Sequence, residues 1–520
     1  MVDSSLPPLI QKMLTPGFYP HPVTEPIELM QTHVSYVLLT GDYAYKLKKP
    51  VNFGFLDYST VEKRKHFCEE ELRLNQRAAT SLYLEVLPIA ETNDGFELAG
   101  SVRVVDYVVK MRQFPQAALL SSQFEAGLID EGKVCALAKV VADFHAKTET
   151  SDYIRDFGRV DRVRQAIDEN YEQTVGYIGG PQTQQQFDDT KAYTNRFFVE
   201  QADVFEQRIQ QDRIRACHGD LHLGNICEWE GQLTLFDCIE FNEPFRFVDV
   251  MYDVAFTVMD LQVAGRNDLS TAFINEYAEQ TGDWEGLQVL PLYVSRQAYV
   301  RAKVTSFLLN DASVPAAVKQ QASEKATRYY RLAWSCLQTN SPQTNSPQLL
   351  MMSGLSGSGK STTARALAQK IGAIHLRSDA VRKHLAGVPL QARGEDSLYT
   401  PEMTQKTYGR LLALGLKLTQ AGYSVILDAK YDRQALRQSV IAAADKSSLP
   451  LSILHCTAPD ETLKSRVAKR SGDIADATVD VLAKQSMEPF RAEAQALVQT
   501  IDTTQALENQ VAGIVEALAR

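Results

Sequence analysis

No stretch of this chain stays apolar long enough to cross a bilayer. The nearest, VMYDVAFTVMDL, is broken by acids and falls short of the ~20 residues a spanning helix needs. The amino terminus, MVDSSLPPLIQKML, lacks the charged-then-apolar layout of a secretory leader. Cysteine is scarce, at seven residues in 520, and its scatter argues for reduced thiols and against a disulfide framework. Self-similarity at solenoid period is missing too. These absences lead to the expectation of a cytoplasmic protein with no membrane partner. What is present is ordinary: 44% hydrophobic and 23% charged residues describe a globular chain long enough for about two to four domains.

Charge is unevenly shared. Residues 348–520 carry 21 basic and 17 acidic side chains, against 33 and 47 in the remainder. An acidic first part is a poor surface for polyanions, so nucleic acid is not an expected partner there, whereas a mildly basic second part suits phosphorylated ligands.

Residues 339–348 read TNSPQTNSPQ, a tandem of five polar, proline-containing residues with nothing to bury. A linker is therefore expected over 339–347, between a domain spanning 1–338 and another spanning 348–520. Within the first, THVSYVLLTGDYAYKLKK is two alternating runs joined by Gly41-Asp42, a hairpin signature. The helix STVEKRKHFCEEELRLNQRAA follows, with Ser59 and Glu62 in capping-box spacing. Strand-like segments continue up to VRVVDYVVKMRQF, and helical patterns then dominate. A small β-rich lobe over about 1–115 followed by a helical lobe over about 116–338 is expected from that order.

The run CHGDLHLGNICEWEGQLTLFDCIEF, Cys217 to Phe241, admits two readings. Cys217, His218, His222 and Cys227 are competent zinc ligands, but Gly219 and Gly224 argue against a shared helix face and no second close pair stands nearby. Against this, His218-Gly219-Asp220 with Asn225 five residues beyond the aspartate has the H-x-D-x-x-x-x-N spacing of a phosphotransfer loop. ICEW and QLTLF then form a hairpin if Glu230-Gly231 is its turn, which sets Trp229 opposite Gln232 and Asn225 opposite Phe236. Asp237 falls beside Asn225, since opposed residues lie about 5 Å apart. An amide oxygen and a carboxylate at that separation suit Mg²⁺, and Asp220 is left in position to take a proton from a substrate hydroxyl.

CHGDLHLGNI together with LFDCIEF resembles the aminoglycoside phosphotransferase family, kinase-like enzymes acting on small-molecule hydroxyls, and most of all its bacterial branch fused to a P-loop domain. The resemblance implies a bilobal α+β protein-kinase-like fold, Asp220 as catalytic base, Asn225 and Asp237 as Mg²⁺ ligands, and His218 as a brace of the loop. It also implies a strand lysine paired to a helix glutamate. Lys46 fits the lysine, with Lys48 on the same strand face as its rival; Glu71 is the chosen partner, with Glu69 and Glu70 as alternatives. VVKMRQF, Val108 to Phe114, would link the lobes beside the adenine. The chain departs from the protein-kinase pattern in having no G-x-G-x-x-G ahead of its first hairpin.

After the linker, Gly354-Leu355-Ser356-Gly357-Ser358-Gly359-Lys360-Ser361 satisfies G-x-x-x-x-G-K-[ST] between the strand-like QLLMM and the helical STTARALAQKIG, which Gly372 ends. Glycines let backbone N–H groups converge on phosphates, Lys360 reaches the β- and γ-phosphates, and Ser361 binds Mg²⁺; Thr362 completes the nucleotide-binding run. AIHLRSD, YSVILDA, LSILHCT and VQTID alternate with helical stretches, so an α/β P-loop NTPase domain is expected, a parallel sheet with helices on both faces. Asp379 and Asp428 fall at strand ends.

This segment resembles the small P-loop kinases related to polynucleotide kinase, gluconate kinase and zeta-toxin proteins, the AAA_33-type group. By that resemblance Asp379 activates the acceptor, Arg382 contacts substrate, Asp428 helps hold the metal, and Arg466 and Arg470, recurring on one helical face, are lid arginines. Two ATP- and Mg²⁺-dependent phosphotransferases for small-molecule hydroxyls on one tether is the resulting expectation. The alternatives are a regulatory protein in which one half is catalytic, and a carboxy-terminal polynucleotide 5′-hydroxyl kinase. No oligomeric state is implied.

Overall fold

The computed structural model describes residues 6–93, 95–312, 314–336 and 346–518. Most of the expected linker lies outside these residues; Ser346 and Pro347, which lie within them, have no regular structure. By compactness the chain forms two units: 1–129, 143–163 and 205–257 in the first, and 130–142, 164–204 and 258–520 in the second. Contacts rather than chain order define a unit, so this grouping runs along different lines from those that composition suggests.

The first unit is built on a six-stranded antiparallel sheet of β1 (Glu28–Gln31), β2 (Ser35–Leu39), β3 (Tyr43–Lys48), β4 (Tyr83–Thr92), β5 (Gly95–Leu98) and β6 (Val104–Arg112). Their order is β1-β2-β3-β6-β4-β5. Gly41 turns the β2–β3 hairpin at φ +105°, where a Cβ would lie 2.4 Å from Thr24 Oγ1. Strand alternation divides the faces. Tyr45, Leu47, Ile89 and Val108 join Ile10, Met13 and Leu38 in one apolar cluster. Val109 points the other way, with Cys68, Leu82 and Tyr83.

The helix Val61–Asn75 crosses that second face and buries Cys68, Glu71, Leu74 and Asn75. Its cap is Thr60, whose side chain accepts the Lys63 N–H, and not Ser59. Ser59 is already engaged, donating both its N–H and its hydroxyl to Asp57. β7 (Ile214–Ala216) leads into the loop at Cys217–Asn225, followed by the hairpin β8 (Ile226–Trp229) and β9 (Gln232–Leu235); β10 (Phe247–Asp249) returns antiparallel to β7. Trp229 opposes Gln232 as expected, and both turn residues, Glu230 and Gly231, take positive φ, which matches the twist of a two-residue hairpin.

In the second unit, helices Gln184–Glu200, Leu290–Phe307 and Ala316–Ser335 pack together. The five-stranded parallel sheet consists of β11 (Leu349–Ser353), β12 (Ile374–Arg377), β13 (Val425–Asp428), β14 (Leu451–Thr457) and β15 (Val498–Asp502), in the order β12-β13-β11-β14-β15. Each expected strand is present. Leu350, Met352, Ile426 and Leu454 face helices Lys360–Ile371 and Leu507–Leu518. The opposite face meets helix Pro401–Gln420, where Gly415 allows an approach that a Cβ would block, 2.8 Å from Leu427. Helices thus cover both faces of continuous apolar strands, the pattern of a parallel sheet. The helix Asn267–Thr281 packs on Lys360–Ile371 and on β12. Among the described residues, no helix is long and apolar enough to cross a membrane.

Candidate active sites

A cleft of about 410 Å³ opens in the first unit, lined among others by Ala44, Lys46, Met111, Phe114, Asp220 and Asp237. Alternation along β3 aims Lys46 and Lys48 into it from one face. The two lysines do not compete for Glu71; they share it. Lys46 Nζ lies 2.8 Å from one carboxylate oxygen and Lys48 Nζ 2.6 Å from the other. Lys46 also reaches Asp237 Oδ1 at 2.5 Å, and Lys48 pairs with Glu240, which Tyr58 also donates to.

Glu71 is fully buried. Burial favours its neutral form, yet Lys46 and Lys48 prevail and hold its carboxyl down at about 2. Desolvation likewise disfavours the Lys46 charge, but Asp237 and Glu71 keep it well above the usual lysine range. Glu69 and Glu70 lie elsewhere: Glu70 binds Arg73 and Glu69 faces Lys65.

Asp220 and Asn225 stand together. The Asn225 side-chain amide donates to the Asp220 carbonyl at 3.0 Å and to its carboxylate at 3.4 Å. The backbone N–H of Phe236 donates to the Asn225 carbonyl at 3.0 Å, extending the hairpin register to the expected pair. Asp237 follows at φ +63°, a left-handed conformation that aspartate visits more readily than most residues. Asn75, from the helix that carries Glu71, accepts the Cys238 N–H at 2.9 Å and fixes this turn. His222 approaches the Asp220 carboxylate at 3.4 Å and accepts the Gly224 N–H.

Asp253 anchors the whole loop. It is fully buried and accepts the N–H groups of His218 at 2.7 Å and Gly219 at 2.8 Å, with His145 3.2 Å away. His218 braces the far side, its Nε2 2.8 Å from the Phe236 carbonyl. Residues Asp253, Asn75 and Glu240 escaped the sequence reading. An acid inside the apolar run VMYDVAF was the one available signal for Asp253.

The zinc ligands are not assembled. Cys227 packs into the apolar cluster with Cys68 and Leu82. Among the described residues, the ligand atoms of His145, Cys217 and Asp253 do lie within 4.8 Å of one another, but the Asp253 oxygens already serve the loop N–H groups. By contrast, Asp237 lines the cleft and Asn225 sits against the cleft-lining Asp220, two oxygen donors that suit a hard cation such as Mg²⁺.

In the second unit the turn between β11 and helix Lys360–Ile371 holds Gly354, Gly357 and Gly359 at φ +142°, +80° and +87°. A Cβ on Gly354 would lie 2.4 Å from the Cys456 carbonyl oxygen, and one on Gly357 2.6 Å from that of Leu463. Such a turn directs N–H groups inward and suits nucleotide phosphates. Lys360 donates to the Leu355 carbonyl at 2.9 Å, and burial lowers its pKa against the pull of Asp428 and Asp379. Gln485 clasps Ser356 through both its N–H and its hydroxyl. Ser361 and Thr362 open the helix.

Asp428 is buried and Asp379 half-buried, and their carboxyls are shifted in opposite directions. Desolvation works against the Asp428 charge, but His375 at 2.9 Å and Lys360 hold it well below the usual range. Asp379 is raised by burial, against the pull of Arg377 and with a further push from Asp428. Arg382 is buried, donating to the Leu398 carbonyl at 2.9 Å with its guanidinium 5.0 Å from the Tyr399 ring. The two expected lid arginines part company. Helix Asp460–Lys469 ends before Arg470, which has extended backbone at the cap, so they do not share a helical face. Arg466 turns onto the P-loop, donating to Gly357 and Thr503. Thr503, Gln485, His375 and Arg377 were also missed; a histidine and an arginine within a buried strand were the clue to the last two.

Fold and side-chain chemistry together define a kinase-class protein: a kinase-like domain and a P-loop nucleotide-binding domain in one chain. The profile of a family described as AAA domain (AAA_33) matches residues 349–490. Uncharacterized protein Rv2004c of Mycobacterium tuberculosis is 30% identical over 469 residues, covering 89% of this chain and 90% of the relative. Uncharacterized protein Mb2027c of Mycobacterium bovis matches with the same figures. The chain belongs to the family of these mycobacterial proteins, and coverage of that extent takes in both halves. Among solved structures, a gluconokinase from Sinorhizobium meliloti is similar to 34% of this chain over 94% of its own length, at 20% identity and TM-score 0.26. A choline/ethanolamine kinase family protein from Mesorhizobium loti is similar to 64% of this chain over its full length, at 11% identity and TM-score 0.38.

Proposed function

We propose that the chain is a bifunctional ATP-dependent phosphotransferase, each half transferring the γ-phosphate to a hydroxyl of a small molecule. What chiefly supports the reading is the convergence of Lys46, Glu71 and Asp237 in one cleft with Asp220 and Asn225. In that cleft Lys46, oriented by Glu71, holds nucleotide phosphates, and Asp220 accepts the acceptor's proton as the hydroxyl attacks in line. Asn225 and Asp237 would hold Mg²⁺ there, and Ser361 and Asp428 in the second site; the ion supplies neutralisation of phosphate charge.

In the second half the residues from Gly354 to Thr362 cradle the nucleotide, with Lys360 turning from the Leu355 carbonyl to the phosphates. The opposed shifts of the two aspartates give them different work. Asp428 stays ionised beside the metal position, while Asp379, raised by burial, is the better proton acceptor. Arg382 contacts the acceptor; Arg466 and Arg470 add positive charge near the transferring group.

The test is phosphate transfer from γ-labelled ATP to a panel of hydroxylated metabolites, with a 5′-hydroxyl oligonucleotide included. Asp220→Ala and Lys360→Ala full-length variants should each lose a different subset of labelled products. Transfer that survives both substitutions at the wild-type rate would remove the two-kinase reading.

A further inference from the structure

β12 is an outer strand of its sheet, and such strands present unpaired N–H and C=O groups. Here a side chain fills that role. Asn275, on helix Asn267–Thr281, donates its amide to the Ala373 carbonyl at 3.0 Å and accepts the His375 N–H at 2.7 Å. One turn further along the same helix, Glu279 stands 3.3 Å from Arg377 at the carboxyl end of β12, the end where ligands bind in such sheets. Arg377 is only 5% exposed and reaches the other way to Asp473, three residues beyond Arg470. His375 lies between the two contacts and holds Asp428.

More of the surrounding chain joins in. His384, on the helix that begins with Ser378 and Asp379, binds the Glu279 carbonyl at 2.7 Å and meets the Trp284 ring edge-on. Gly282 leaves room for it: a Cβ there would lie 2.8 Å from the imidazole. A buried ion pair is a poor adhesive, since apolar side chains of similar volume often bind two layers more strongly. Its retention at Arg377, with one partner on the helix and the other on the Arg470–Asp476 segment, calls for a positional role. Arg470 is near enough to oppose the Lys360 charge.

We propose that helix Asn267–Thr281 is a working part of the carboxy-terminal phosphotransferase, with Asn275 and Glu279 as positioning residues: Asn275 fixes β12, and Glu279, through Arg377, holds the Arg470–Asp476 segment beside the P-loop. The inference rests on the phosphotransfer reading of that half and deepens it. The helix precedes the linker in sequence, yet it completes the site beyond the linker. By reciprocity, nucleotide bound at the P-loop steadies this helix in turn.

The test uses full-length protein carrying Asp220→Ala, so that turnover of Mg·ATP reports the second half. Glu279→Gln and Asp473→Asn each break the Arg377 bridge from one side. Each is expected to speed amide hydrogen exchange of residues 470–476 in the presence of Mg·AMP-PNP by about tenfold and to lower kcat by a similar factor. Stoichiometry and affinity for Mg·AMP-PNP should stay within about twofold, a pattern that simple loss of folded protein does not give. Combining the substitutions should add little, because both act through Arg377. Glu276→Gln, on the same helix but paired with Lys139, should change none of these. Unaltered exchange at 470–476 in Glu279→Gln, or full additivity with Asp473→Asn, overturns the proposal. If Glu279→Gln fails to fold, Asp473→Asn decides alone, through faster exchange in residues 267–281. The exchange readout also stands if no turnover is detected, so failure of the enzymatic reading and failure of this inference are told apart.

Discussion

In the kinase-like cleft the acting groups arrive from distant parts of the chain: Lys46 meets Asp237 across 191 positions, and Lys48 meets Glu240 across 192. In the P-loop domain eight consecutive residues, Gly354 to Ser361, supply most of the phosphate cradle. The cleft is built from side-chain charges matched in pairs, whereas the P-loop turn is set by the backbone conformation of its glycines. The first arrangement should be vulnerable to loss of a charge and the second to gain of a methyl group.

Five substitutions or conditions probe that contrast, beginning with the largest effect. Asp220→Ala should lower transfer by the first half about 10²- to 10⁴-fold, the usual weight of a general base, while leaving Lys360-dependent products unchanged; steady-state kinetics on the separated products checks it. Glu71→Gln leaves the buried Lys48 and the half-buried Lys46 short of a counter-charge and should cost about 3–5 kcal/mol, read by urea unfolding. A pH titration of stability should show the same pair. Glu71 is depressed from 4.5 to about 2, so its contribution is complete above 4.5 and disappears as pH falls towards 2. Some ~3 kcal/mol should be lost across that window in the wild type and little of it in Glu71→Gln.

Gly354→Ala should weaken nucleotide binding at the P-loop by roughly tenfold or more, because the new Cβ meets a backbone carbonyl at a φ that alanine resists. Nucleotide titration of the full-length variant, resolving both sites, measures it. Should the cleft lose affinity as well, the two sites are not chemically independent. The smallest effect concerns the helix that delivers Glu71. Thr60→Ala should cost about 1 kcal/mol and Ser59→Ala less, since Thr60 is the cap in use.

How much could be read in advance differs between the regions for the same reason. The strands β11 to β15 and the P-loop were legible because apolar runs, glycines and a lysine sit next to one another in the chain. The β8–β9 hairpin was legible because two residues, Glu230 and Gly231, set its register. Lys46 and Lys48 were placed on one face by alternation, but the spacing could not say that Glu71 would take both, nor that Glu240 would join them. Helical spacing paired Arg466 with Arg470; the helix stops one residue too soon for that, and Arg466 finds Thr503 instead. Asn275 carries no local mark at all, because its partners are a carbonyl and an N–H about a hundred residues away.

Sequence alone determined that the chain would carry a phosphate-binding turn after residue 353 and an aspartate loop at 218–225 leading into a metal-suited hairpin. Those features are written within a few residues, where backbone geometry and side-chain period act directly. Only the tertiary structure decided which carboxylate each buried lysine meets, which acid clamps the loop, and which helix closes the edge of the parallel sheet. Such pairings depend on packing between segments that local periodicity cannot relate, because a buried charge is satisfied by whatever group the fold brings to it.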